Sequence, residues 1–123
     1  MRELYERWLM ELWHGDLAVA EEIVAEDFVG HWPEQEVQGR AALVDLIRET
    51  RGMFAELTFR LEVGPIAEGD LLAARWTGTG STPDGGQMPL LGNDILRVAD
   101  GRLAEYWVSS DGIALMQQLG ALG

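Results

Sequence analysis

Asp111 stands where an extended run, Glu105-Tyr106-Trp107-Val108-Ser109-Ser110, meets the helix-like stretch Gly112 to Gly120. On a pleated strand it shares a face with Ser109 and Trp107. A carboxylate so placed is an acid–base candidate, provided that its pKa is raised. An exposed aspartate, at about 3.9, is a poor base at neutral pH, whereas burial beside an indole and near a second carboxylate moves it upward. The same position also suits a helix N-cap, which would accept amide hydrogen bonds and hold the pKa down.

Asp94 is the second carboxylate. It shares strand parity with Gly92, Leu96 and Val98 in a run that otherwise reads as buried. The hairpin at Asp100-Gly101 is expected to bring it roughly opposite the Trp107 region. Its structural alternative is a satisfied partner for a backbone turn, for His31 or for an arginine such as Arg75. His31, in the apolar segment Phe28-Val29-Gly30-His31-Trp32, could donate to a substrate carbonyl or pass a proton to Asp94. A core histidine bonded to backbone is the competing explanation. The candidate catalytic set is therefore Asp111, Asp94 and His31, with Trp107, Trp32, Trp76, Ser109 and Leu96 as candidate substrate contacts. Trp8 and Trp13 could line the same pocket, although aromatic residues at such spacing are usually core.

Other chemistries find little support. The chain has no cysteine and only two histidines, His14 and His31. Thiolate sites are excluded and a metal site is disfavoured. Gly78-Thr79-Gly80-Ser81 lacks the lysine of a phosphate loop, and no Gly-x-Ser-x-Gly elbow occurs. Nine basic residues against 21 acidic ones give a formal net charge of −12, which disfavours nucleic acid and anionic membrane surfaces. The first residues interleave charge with apolar side chains, unlike a signal peptide or a membrane span, and the chain reads as cytoplasmic.

These residues must be held by a scaffold of 123 residues, 47% of them hydrophobic, which suits one domain spanning 1–123. Leu4, Trp8, Leu9 and Leu12 fall at helical spacing up to Gly15; Asp16 is expected to cap a second helix through Ala20, Ile23 and Val24. A short extended segment at Phe28 to Trp32 ends at Pro33, and a third helix runs from near Gly39 to Met53. Strands are expected at Leu57 to Val63, Leu71 to Thr79, Leu90 to Val98 and Leu103 to Ser109, with turn residues between them. Helices followed by an antiparallel meander make an α+β arrangement, a curved sheet with helices in its concave face and a pocket at the open end.

Five pieces in order carry a resemblance: Trp13-His14-Gly15-Asp16-Leu17, Glu26 to His31, Arg75 to Gly80, Asp94 to Arg97 with Asp100-Gly101-Arg102, and Trp107 with Asp111 and Gln117 to Gly120. Together they resemble the SnoaL-like polyketide cyclases of the nuclear transport factor two and ketosteroid isomerase superfamily. The resemblance implies a cone-shaped α+β fold, a homodimer formed through the outer face of the sheet, and Asp111 at the place of the family's catalytic aspartate. It also implies cofactor-independent aldol-type chemistry on a small or medium hydrophobic carbonyl compound. The segment Ser81 to Gln87 is shorter than the Pro-rich loop common in relatives, which implies a less covered cavity mouth. The same cone hosts ketosteroid isomerase-like isomerases, limonene-epoxide-hydrolase-like hydrolases and non-catalytic binding domains. A hydrolase would need Arg75 or Arg97 to reach the pocket.

Overall fold

The chain opens with the amphipathic helix α1 (Arg2–Arg7), whose ladder widens over Trp8–Leu12 into hydrogen bonds five residues apart. Trp13 N donates to Trp8 O at 3.1 Å and Asp16 N to Glu11 O at 3.0 Å. On an ordinary helix, side chains five residues apart diverge by about 140°. The wider turn instead returns Trp13 towards the face of Trp8, and such widenings are frequent at functional sites. Gly15, at φ +123°, ends this segment as its type suggests. The structure, a computed structural model, describes residues 1–110. The expected final helix from Gly112 onward lies outside the described residues.

The second expected helix is broken into a tight turn, Leu17–Val19, and a single turn α2 (Ala20–Ile23). Asp16 makes no side-chain cap there. Val24, expected to close that helix, instead begins β1 (Val24–His31), which starts well before the extended segment expected at Phe28. A three-residue strand β2 (Glu36–Gln38), not anticipated from sequence, pairs with β1. Helix α3 (Arg40–Gly52) follows Gly39, whose φ of +93° admits the chain to the helix. It buries Leu43, Ile47 and Thr50 on one face.

The remaining strands form the expected meander but run longer: β3 (Glu56–Glu68), β4 (Leu71–Ser81), β5 (Gln87–Ala99) and β6 (Arg102–Ser110). Glycine and proline at Gly78, Gly80, Pro89 and Gly92 weaken the strand signal, yet the β4–β5 ladder pairs straight through them from Leu71↔Arg97 to Ser81↔Gln87. Asp100 and Gly101 adopt φ of 52° and 77°, the left-handed pair of a tight hairpin turn. The sheet order is β2-β1-β6-β5-β4-β3. The pairing of β1 with β6 is parallel, the exception in an otherwise antiparallel sheet.

The curved sheet wraps the helices. Tyr5, Trp8 and Leu12 from the first helical segment, Leu43 and Ile47 from α3, and Phe28, Leu72, Leu96 and Leu103 from the strands are fully buried between them. Each such large apolar side chain contributes about 1.5–3 kcal/mol relative to exposure. Among the described residues no helix is long and apolar enough to cross a membrane.

Candidate functional site

Asp94 is 1% exposed, in the middle of the inner face of β5. Three donors from three elements converge on it. Tyr5 Oη from α1 donates to Oδ2 at 2.8 Å, Tyr106 Oη from β6 to Oδ1 at 2.7 Å, and Trp76 Nε1 from β4 to Oδ1 at 3.1 Å. Neither His31 nor Arg75, the partners suggested by sequence, takes part.

Ladder register explains the convergence. Ala74 lies opposite Asp94 on β4 and offers little bulk, while Trp76 lies opposite Gly92 and crosses the space that a side chain there would fill. Loss of hydration on burial raises the Asp94 carboxyl to about 6, with hydrogen bonds from Tyr106, Tyr5 and Trp76, and a weaker contribution from Trp8, opposing the rise. Burial, reinforced by the neighbouring carboxylate, pushes both tyrosine hydroxyls up. The two phenols therefore stay protonated as donors to Asp94.

The carboxylate borders a narrow cleft with a cavity volume of about 40 Å³. Aromatic side chains make up half of the lining residues. Trp8 and Trp32 pack against Tyr106 with ring centres 4.9 and 5.1 Å away, and Phe59 meets Trp76 edge-on at 5.3 Å. Gly30 leaves the room that Trp32 needs to fold back over β1. Asp94 and Glu34 are the charged residues of the lining among the described residues, which include no cation there. Ser110 Oγ and Trp13 Nε1, also in the wall, are buried without a hydrogen-bond partner among the described residues.

The structure divides the sequence candidates. Asp94, Trp32 and Trp76 meet in the cleft, whereas Leu96 is buried in the core at 0% exposure and is not part of the wall. Trp107 and Ser109 are on the outer face of β6, so Trp107 is not the wall beside Asp94; Tyr106 and Val108 are. The cause is a bulge: Leu103 pairs with Val98 and Glu105 with Arg97, which leaves Ala104 extra and reverses the inward phase from Leu103 to Tyr106. Consequently Val108, not Trp107, lies opposite Asp94.

His31 shares that outer face. It stacks on Trp107 with ring centres 5.4 Å apart, and its ring nitrogens meet Glu105 at 2.7 Å and Glu36 at 3.2 Å. His31 and Arg97 hold the Glu105 carboxyl below its usual range. The expected proton relay between His31 and Asp94 is therefore corrected: the sheet separates them. Arg75 and Arg97 also face outward, paired with Glu62 and Glu105. Asp111 lies outside the described residues. Sequence reasoning missed Tyr5 and Tyr106; the bulge hid the second, and nothing in the pattern of α1 distinguishes Tyr5 from an ordinary core residue.

The sequence matches the SnoaL-like domain family over residues 5–106. No curated protein matches it. Among solved structures, it is similar to wild-type IdmH, a candidate polyketide cyclase from Streptomyces antibioticus, at 27% identity and a TM-score of 0.74, covering 91% of this chain and 93% of that one. A candidate polyketide cyclase from Bacillus cereus is 28% identical, with a TM-score of 0.80 over 95% of this chain and 78% of that one. TsrD from Streptomyces laurentii is 25% identical, with a TM-score of 0.80 over 97% and 93% of the two chains.

Proposed function

The chain belongs to the SnoaL-like domain family, and on that premise we propose that its cleft carries out cofactor-independent acid–base chemistry, of the kind a polyketide cyclase performs, on a small or medium hydrophobic carbonyl compound. One observation carries this most: a fully buried carboxylate, Asp94, borders an aromatic cleft, where loss of hydration raises it to about 6. A base with that pKa is largely ionised at neutral pH yet strong enough to take a proton from carbon flanked by a carbonyl. The electron pair left behind moves to the carbonyl oxygen, and the apolar wall keeps water from the enolate. The protein acts in the cytoplasm as a homodimer joined through the outer sheet face, and the domain spans 1–123. Asp111 stays in the proposed catalytic set on the family resemblance alone, since Ser109 and Trp107, with which parity groups it, face outward; His31, turned to the outer face, is assigned to the interface.

The test is deuterium uptake at the α-carbon of aryl and alicyclic ketones in D2O. Wild-type protein is expected to accelerate uptake, and Asp94→Asn to lose about a hundredfold or more of that acceleration. Equal rates in the two proteins would remove Asp94 as the base.

A specific observation favours one other reading, a non-catalytic small-ligand-binding domain. Asp94 already accepts three internal hydrogen bonds that tie α1, β4 and β6 to β5, so it could serve as a fastening alone. On that reading Asp94→Asn alters stability while the wild-type protein accelerates no exchange. An Asp–Arg–Asp hydrolase network is disfavoured by the outward pairing of Arg75 and Arg97.

A further inference from the structure

Resting on the proposed acid–base role of the cleft, we infer that the indole N–H of Trp13 is the donor that anchors the substrate's carbonyl oxygen. Trp13 is 7% exposed, and its Nε1 is buried without a partner among the described residues. A buried donor left unpaired costs about 1–3 kcal/mol. By contrast Trp76, in the same wall, spends its indole N–H on Asp94.

The position of Trp13 is determined by the chain. The widened turn after α1 brings it round to meet Trp8 edge-on at 6.1 Å, and it meets Phe59 at 6.3 Å. Its carbonyl accepts from Arg51 Nη1 at 2.7 Å, which fixes the backbone beneath the ring. The donor is thus buried in the wall that Asp94 shares, and binding there requires the neighbouring rings to move aside when a ligand enters. Proton removal by Asp94 leaves negative charge on the carbonyl oxygen, and an N–H donor in a dry site stabilises that charge. Asp94 takes the proton and the Trp13 N–H holds the oxygen. The ligand class follows from these groups: a small apolar body carrying an acceptor oxygen with hydrogen on the adjacent carbon.

The test uses the whole chain labelled with ¹⁵N, whose five tryptophans give five indole N–H signals, with that of Trp13 assigned from its loss in Trp13→Phe and by through-bond correlation. Acetophenone and ethylbenzene, matched in shape but differing in the carbonyl, are titrated in turn. The expected result is a downfield shift of the Trp13 indole proton with acetophenone and not with ethylbenzene. In Trp13→Phe both probes lose the same ring contact, so affinity for acetophenone should fall a few-fold to about tenfold further than that for ethylbenzene. Signals from other cleft indoles that move while Trp13 stays still, or moves alike with both probes, would overturn the anchoring role and leave the ligand cleft standing. If no indole moves with either probe, the ligand-cleft reading falls and the anchor with it.

Discussion

Trp76 and Gly92 face one another across the β4–β5 ladder, and the missing side chain of Gly92 is the space in which the Trp76 indole lies. A Cβ on Gly92 would strike the indole ring, including its nitrogen. The glycine that weakens β5 as a strand thereby supplies Asp94 with one of its donors.

Gly92→Ala should therefore displace Trp76 and break its bond to Asp94. Overpacking of this kind costs about 1–3 kcal/mol, to be read in denaturant unfolding. The variant should also raise the Asp94 pKa, since a hydrogen bond to the ionised form is lost. An unchanged midpoint and an unchanged pKa would mean that the ring accommodates the methyl group.

Asp94 should titrate near pH 6 in a carboxyl-labelled sample, against about 3.9 in the unfolded chain. Because the folded pKa is the higher one, the folded state holds the proton more tightly. The stabilising contribution is fully present below about pH 4 and is lost as pH rises through about 6. Asp94→Asn should flatten the stability profile across that window. Proton abstraction should run the opposite way, rising with pH to a plateau above about 6, because the base works ionised. A titration at or below the ordinary aspartate value would defeat both expectations.

Tyr106→Phe and Tyr5→Phe each remove a phenol that stabilises the Asp94 carboxylate. Each should push the Asp94 pKa further up, with the larger shift in Tyr106→Phe, whose bond opposes the desolvation most. Bonds to ionised groups contribute about 1.5–3 kcal/mol, so the loss should appear in stability above pH 7 more than below pH 4. Carboxyl chemical shifts and unfolding curves at both pH values provide the check. A downward pKa shift in either variant would mean that the phenol is not donating to the ionised carboxylate.

The architecture was largely legible in the sequence because apolar periodicity and turn residues mark α1, α3 and the four-strand meander directly. The interior of the site was only half legible. Asp94 and Trp76 follow from parity, since the β4–β5 ladder runs without a shift, and Trp32 follows the end of β1 with Gly30 leaving it room. Trp107 and Ser109 did not, because the extra residue at Ala104 inverts the phase of β6, and a bulge leaves no mark that alternation can reveal. His31 read as apolar-flanked, yet Gly30 and Phe28 take the inner face and leave it outside beside Glu105. Tyr5 needed the tertiary packing of α1 over β5, which no local pattern encodes.

The outer face presents a lateral row of cross-strand neighbours: Ile66 on β3, Ala73 on β4, Ile95 on β5, Trp107 on β6 and His31 on β1. Ile66 and Ile95 are 65% and 47% exposed, a large apolar presence on a chain of net charge −12. Two copies carrying that charge repel at long range, so a dimer through this face must be held by apolar contact. Added salt should then leave the dimer intact or tighten it, because screening weakens the repulsion and not the contact. Ile95→Asp should give a monomer in sedimentation velocity, with stability at low concentration little changed, since the residue is exposed in a single copy. A wild-type protein that sediments as a monomer at every salt concentration would sink the proposed interface; a dimer that survives Ile95→Asp would move it elsewhere on the surface.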